Sequence, residues 1–163
     1  MSSVDQAVLL EADAWVRSLP GLWRFSRAVA HGDGTVFQAI GEARFEPWSR
    51  EGSAAGATPG ARVGISTPLR WREKGELRQR DGEHASSFER ELRLVPRGDS
   101  WWVQFADGRD FHPVQDGAFL HECGRDTYSG NLELRADGSF QLTWTVRGPK
   151  KSYWMVTEYR RGD

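Results

Sequence analysis

Cysteine is nearly absent from this chain: Cys123 stands alone, so no internal disulfide can form. Charge of one sign is missing as well. Twenty-two Lys and Arg against 23 Asp and Glu leave a formal net charge of -1, a field that draws the chain to neither nucleic acid nor an anionic membrane, and neither partner is expected. No uninterrupted apolar run approaches the ~20 residues that cross a bilayer, and no basic flank precedes an apolar stretch in residues 1–10. These absences together predict a cytoplasmic protein. Motifs of common chemistry are missing too: Gly52, Gly56 and Gly60 occur without a Gly-Lys-Ser/Thr ending, there is no nucleophile motif, and no ligand spacing fits a zinc module. No metal site is expected.

Turns and aromatic rings are what the sequence has in quantity. Five Asp-Gly pairs, at 33–34, 81–82, 107–108, 116–117 and 137–138, lie between runs rich in Phe, Trp, Val, Leu and Thr. Asp-Gly suits a type I′ hairpin turn, whose two central residues need φ > 0, and its repetition predicts a β-meander. Strand-like runs cover 23–31, 36–46, 69–73, 76–80, 87–95, 101–106, 110–114, 118–123, 127–135, 140–147 and 153–159. The alternation is cleanest where Phe140, Leu142, Trp144 and Val146 oppose Gln141, Thr143, Thr145 and Arg147. About ten antiparallel strands with short turns avoid exposed edges by closing, so the fold class is an all-β, up-and-down barrel over a single domain, 1–163. Before it, Ser3 and Gln6 have capping-box spacing, and Val8, Ala12, Trp15, Val16 and Leu19 recur at helical intervals up to Pro20. A helix over 3–19 with that stripe would close one end of the barrel. Residues 49–67, rich in Gly, Ala and Ser, read as a mobile loop at the other rim.

Two sets of motifs carry a resemblance. Gly21-Leu22-Trp23 opens the first strand directly after the helix, and Arg160-Arg161 ends the last. This resembles the calycins, the lipocalin-like barrels, in which the Trp of Gly-x-Trp packs under an Arg at the end of the barrel. Trp23 matches the Trp, and either Arg160 or Arg161 matches the Arg. Across nearly the whole chain, Gly41-x-Ala43-x-Phe45, Asp107-Gly108-Arg109-x-Phe111-His112, His121-x-Cys123-x-x-Asp126-x-Tyr128 and Gly148-Pro149-Lys150-Lys151-x-Tyr153 are similar to a functionally uncharacterised family of small bacterial and fungal calycin-like proteins. That resemblance implies the barrel and supplies no activity.

Candidate chemistry gathers around His112, His121, Cys123, Asp126 and Tyr128. On an extended strand His121 and Cys123 share a face with Phe119, and His112 comes from the adjacent hairpin arm. The cluster is either the polar floor of a cavity for an apolar or planar ligand or a hydrogen-bond network that fixes register. Haem is one such ligand, with His121 or His112 as its axial group. Among Arg27, Arg72, Glu73, Arg90 and Glu91, which interrupt apolar runs, some must face inward, and an inward Arg such as Arg90 favours an anionic head group. Arg90 and Trp144 therefore complete the candidate ligand site. Two other classes remain open: a lyase- or isomerase-type barrel enzyme using His121, Asp126 and Tyr128, and an interaction module engaging a protein through its sheet face or loop. Oligomeric state is not legible.

Overall fold

The computed structural model describes residues 3–49 and 67–163, with side chains from Glu11 onward. One helix, α1 (Ser3–Ser18), precedes ten strands: β1 (Gly21–His31), β2 (Val36–Pro47), β3 (Leu69–Gln79), β4 (Ala85–Arg97), β5 (Ser100–Phe105), β6 (Asp110–Pro113), β7 (Gly117–Cys123), β8 (Asp126–Leu134), β9 (Phe140–Arg147) and β10 (Ser152–Arg161). They form a single antiparallel sheet in the order β6-β5-β4-β3-β2-β1-β10-β9-β8-β7. Every pair of strands consecutive in sequence is hydrogen-bonded except one. The ladder between β1 and β10 closes the sheet, Trp23 pairing with Arg161 and His31 with Tyr153, whereas β6 and β7 meet by side chains without a ladder. The result is a nearly closed ten-stranded barrel. Its two free edges are short and one carries Pro113, features that blunt edge-to-edge pairing. The α1 helix is not long and apolar enough to cross a membrane.

Three of the five Asp-Gly pairs make hairpins by a different turn from the one the sequence suggests. Among the described residues none other than glycine has φ > 0, which rules out type I′ turns with Asp at a central position. Instead Gly34, Gly108 and Gly138 donate to His31, Phe105 and Arg135, three residues back, and each takes φ of +84° to +90°. This is a type I turn followed by a glycine bulge. The Asp contributes by accepting the N–H two residues on: Asp33 from Thr35 at 2.8 Å, Asp107 from Arg109 at 3.0 Å and Asp137 from Ser139 at 2.9 Å. These hydrogen bonds hold all three carboxyls below the usual carboxylate range. Asp116-Gly117 is no hairpin at all. It carries the chain across the gap from β6 to β7, with Asp116 Oδ1 accepting from Leu134 N at 3.4 Å.

The runs at 69–73 and 76–80 are one strand rather than two. Gly75 lies directly opposite Gly41 on β2, and a Cβ at Gly41 would stand 2.2 Å from Lys74 O and 2.7 Å from Phe25 Cζ. The two backbones approach as closely as they do because both lack side chains. β3 passes this point without breaking.

The core divides along the barrel. At one end Ala12, Trp15 and Val16 of α1, with Leu19 just after it, join Trp23, Phe140 and Trp101 in the core; Trp15 meets Phe140 edge-on at 5.1 Å, and Trp101 Nε1 donates to Asp13 at 3.2 Å. The apolar stripe of α1 thus packs where the sequence places it, although Ser3, Gln6 and Val8 lie outside the described side chains. Residues 50–66 also lie outside the described residues, so the loop expected at 49–67 has no structural account.

Candidate functional site

Alternation sorts the charged residues that interrupt the strands. Arg27 shares a face with Phe25, Glu73 with Trp71, and Arg90 with Leu92, so these three point into the barrel, while Arg72 and Glu91 point out and pair with Glu46 and Arg70. Inside, Arg27 Nη2 lies 2.8 Å from Glu73 Oε2 and Arg27 Nε donates to Thr157 Oγ1 at 2.8 Å. Tyr159 donates to Glu73 Oε1 and accepts from Arg27 Nη2 at 3.2 Å. Arg90 Nη2 reaches Glu73 Oε2 at 3.1 Å from a side chain that is one third exposed. Burial alone would raise the Glu73 carboxyl, but Arg90, Arg27 and the hydrogen bonds outweigh it and hold it below its ordinary range. Burial and the Glu73 charge raise the Tyr159 phenol far above its ordinary value. Tyr159 is therefore a neutral donor, and Glu73 an anion between two guanidiniums.

Above this ionic layer, away from α1, the interior opens into a cavity of about 200 Å³ walled by Arg90, Phe105, Phe111, His121, Tyr128 and Trp144, with Cys123, Val146, Tyr153 and Met155 completing it. Two larger concavities lie among charged side chains: one of about 550 Å³ is bordered by Glu73 and Arg90 as well as by the outward-facing Glu42, Lys74 and Glu89, and one of about 920 Å³ by Glu42, Lys74, Glu76 and Glu89. The interior cavity is the one with convergent aromatic walls, the ordinary character of a small-molecule site.

A bulge shapes its wall. β5 and β6 pair Val103 with His112 and Gln104 with Asp110, which leaves Phe111 as an extra residue. Consecutive side chains Phe111 and His112 both reach Trp144 as a result, at 5.0 and 5.2 Å between ring centroids. Phe111 also spans the gap to β7, 5.4 Å from the His121 ring.

The candidates identified from sequence fall into two groups. His121, Cys123, Tyr128, Arg90 and Trp144 come together on the cavity wall. His112 and Asp126 do not. His112 stacks face to face on Phe119 at 4.4 Å, behind the wall, with Nδ1–H donating to Pro113 O at 2.8 Å; burial lowers its pKa to about 4, so it is a neutral imidazole. His112 is also not brought beside His121 by a hairpin, because β6 and β7 share no ladder. Asp126 turns to Lys151 at 3.4 Å, and Lys151 Nζ donates to the Tyr128 hydroxyl at 3.4 Å. Among the described residues no hydrogen bond links His121 to either Asp126 or Tyr128, and no three His, Cys, Asp or Glu side chains converge as for a metal ion. The volume of about 200 Å³ lies below the ~300 Å³ where ordinary ligand pockets begin. Sequence reasoning passed over Thr157 and Tyr159 as polar partners of the inward charges, although both sit on one face of β10.

At the opposite end Arg161, not Arg160, meets Trp23: its guanidinium lies 4.3 Å above the indole and donates to Pro20 O at 2.9 Å and to Ser18 O. Trp23 Nε1 in turn donates to Leu19 O at 2.8 Å. Gly21 has φ +122°, and a Cβ there would come within 3.2 Å of Arg161 Nη1. Arg160 instead pairs with Glu158 on the outside.

Among solved structures, the chain is similar to the S-type phycobiliprotein lyase CPES from Guillardia theta, at 10% identity over 92% of each chain with a TM-score of 0.59. A de novo designed fluorescence-activating β-barrel is similar at 18% identity over 92% of this chain and 98% of that one, with a TM-score of 0.44. The first likeness is one of fold, and the second is too distant to add to it. No curated protein matches the chain. Residues 19–161, from the end of α1 to the last residue of β10, match the family of unknown function DUF6314, and the chain belongs to that family.

Proposed function

We propose that this protein is a small-molecule-binding barrel whose ligand, apolar or planar with one polar anchor, occupies the interior cavity. The observation that carries this reading is a hollow of about 200 Å³ flanked by Phe105, Phe111, Trp144, Tyr128 and Tyr153 in a barrel otherwise packed with large side chains. An unfilled aromatic hollow forfeits dispersion contacts that a better-packed interior would make. His121, Cys123, Tyr128, Arg90 and Trp144 are the ligand-contacting residues in this reading. His112 sits behind them and fixes the Phe119–Trp144 wall, and Asp126 orients Lys151 at the rim.

The Trp23–Arg161 contact supports placing the barrel with the calycins, and the lone Cys123 with the near-neutral charge supports a cytoplasmic location. The likeness to a phycobiliprotein lyase is compatible with a barrel that handles small ligands, though it carries no residue-level correspondence.

Native mass spectrometry of gently purified protein, with its absorption spectrum, tests the reading. Co-purified mass that leaves on denaturation, or saturable uptake of small aromatic probes reported by Trp emission, is expected. Protein that is ligand-free and takes up none of them would overturn it.

A further inference from the structure

The ionic layer beneath the cavity is not neutral. Arg27 and Arg90 bring two positive charges, Glu73 one negative, and Thr157 and Tyr159 none, so the interior carries a surplus of one positive charge.

Counting donors locates that surplus. Arg27 is engaged by Thr157, Glu73 and Tyr159. Glu73 is engaged at both oxygens, since Oε1 accepts from Tyr159 and Oε2 faces both Arg27 and Arg90. Among the described residues Arg90 makes one ion pair, the 3.1 Å contact, and lies 5.7 Å from the Trp71 ring centroid, while its Nε is sealed from solvent with no acceptor. A guanidinium has five N–H donors, and a sealed donor left unpaired, as Nε–H is here on a side chain otherwise one third exposed, carries a desolvation penalty. Among the described residues Arg90 is also the only charged side chain on the cavity wall. Phe105, Phe111, Trp144, Val146 and Met155 offer it no strong acceptor, and among the described residues no hydrogen bond joins it to His121, Tyr128 or Tyr153, so an acceptor entering the cavity meets free guanidinium donors.

Resting on the reading of the barrel as a small-molecule binder, we infer that its ligand is a small planar monocarboxylic acid, the carboxylate paired with Arg90 and the ring held among Phe111, Trp144 and Met155. A carboxylate offers the flat, two-oxygen edge that fits a guanidinium fork. One negative charge balances the surplus, whereas a phosphate dianion would reverse it beside Glu73. The volume of about 200 Å³ suits one or two fused rings, below the ~300–1,000 Å³ of pockets for drug-sized ligands.

Isothermal titration calorimetry with 2-naphthoate, 2-naphthamide and 2-naphthalenemethanol at pH 7 and low salt tests the inference. The three share a ring system and differ in charge. In the unaltered protein 2-naphthoate is expected to bind at least about tenfold more tightly than the amide or the alcohol. Arg90→Gln abolishes that preference, and Arg90→Lys, which keeps the charge and the Glu73 pairing, retains part of it. Equal affinity for all three probes in the unaltered protein overturns the carboxylate assignment and leaves the small-molecule reading standing. A preference for naphthoate that survives Arg90→Gln overturns the role of Arg90. Failure of all three to bind overturns the inference and counts against the broader reading too. The comparison within the unaltered protein decides the ligand class even where Arg90→Gln fails to fold.

Discussion

The Phe119 ring lies across Gly130, its partner on the neighbouring strand, so closely that a Cβ at Gly130 would stand 2.2 Å from Phe119 Cε2. The bare glycine lets the ring lie flat, and the same ring carries the stacked His112. Gly130→Ala therefore pushes Phe119 into His112 and Trp144, and a loss of about 1–3 kcal/mol from overpacking is expected in urea unfolding. Stability unchanged by this substitution would show that Phe119 has room to move.

Glu73 is the one anion between Arg27 and Arg90. Glu73→Gln leaves two guanidiniums facing each other in the interior, and the expected loss is about 3–5 kcal/mol. Tyr159→Phe removes a single donor to Glu73 and costs about 1–2 kcal/mol. Chemical denaturation of the two variants checks the order; a Tyr159 variant weaker than the Glu73 variant would contradict it.

His112 supplies the pH dependence. Burial, opposed by the Pro113 carbonyl and helped by the charges of Arg90 and His121, lowers its folded pKa to about 4 from 6.5. The unfolded chain therefore binds the proton more readily than the folded one. The stabilising effect is complete above about pH 6.5 and is lost as the pH falls towards 4, by on the order of 3 kcal/mol in total. Melting temperatures between about pH 7 and 4 should fall in the native protein and fall less in His112→Gln. Parallel slopes would place the acid sensitivity elsewhere.

Arg161 and Arg160 are adjacent and chemically identical, yet only Arg161 covers Trp23. Arg161→Ala is expected to cost about 1–2 kcal/mol through the lost cation-π contact and carbonyl hydrogen bonds, and Arg160→Ala no more than ~0.5 kcal/mol. Thermal melts of both variants separate the two. Equal losses would mean that the contact over Trp23 adds nothing beyond surface charge.

The meander and the helix stripe were legible because they rest on local rules, a period of two in the strands and of about 3.6 in α1. The turn type was not, since Asp-Gly serves equally as the centre of a two-residue loop and as the end of a three-residue one, and only the pairing of the flanking strands decides. Arg27, Glu73 and Arg90 stood out as charges within apolar runs. Their parity with Phe25, Trp71 and Leu92 already separates them from Arg72 and Glu91, so that part of the site could have been read in full. The separation of His112 from the cavity could not. It depends on the bulge at Phe111, which shifts one residue against its neighbour strand and leaves no mark in the composition of Asp110-Phe111-His112-Pro113.

The missing ladder between β6 and β7 gives the barrel wall an unequal mechanical character. Everywhere else, prising two strands apart breaks a row of main-chain hydrogen bonds; here it separates only rings, chiefly Phe111 from His121 and His112 from Phe119. Those rings border the cavity. The wall is thus a zip with one unfastened seam, held there by ring contacts in place of main-chain hydrogen bonds.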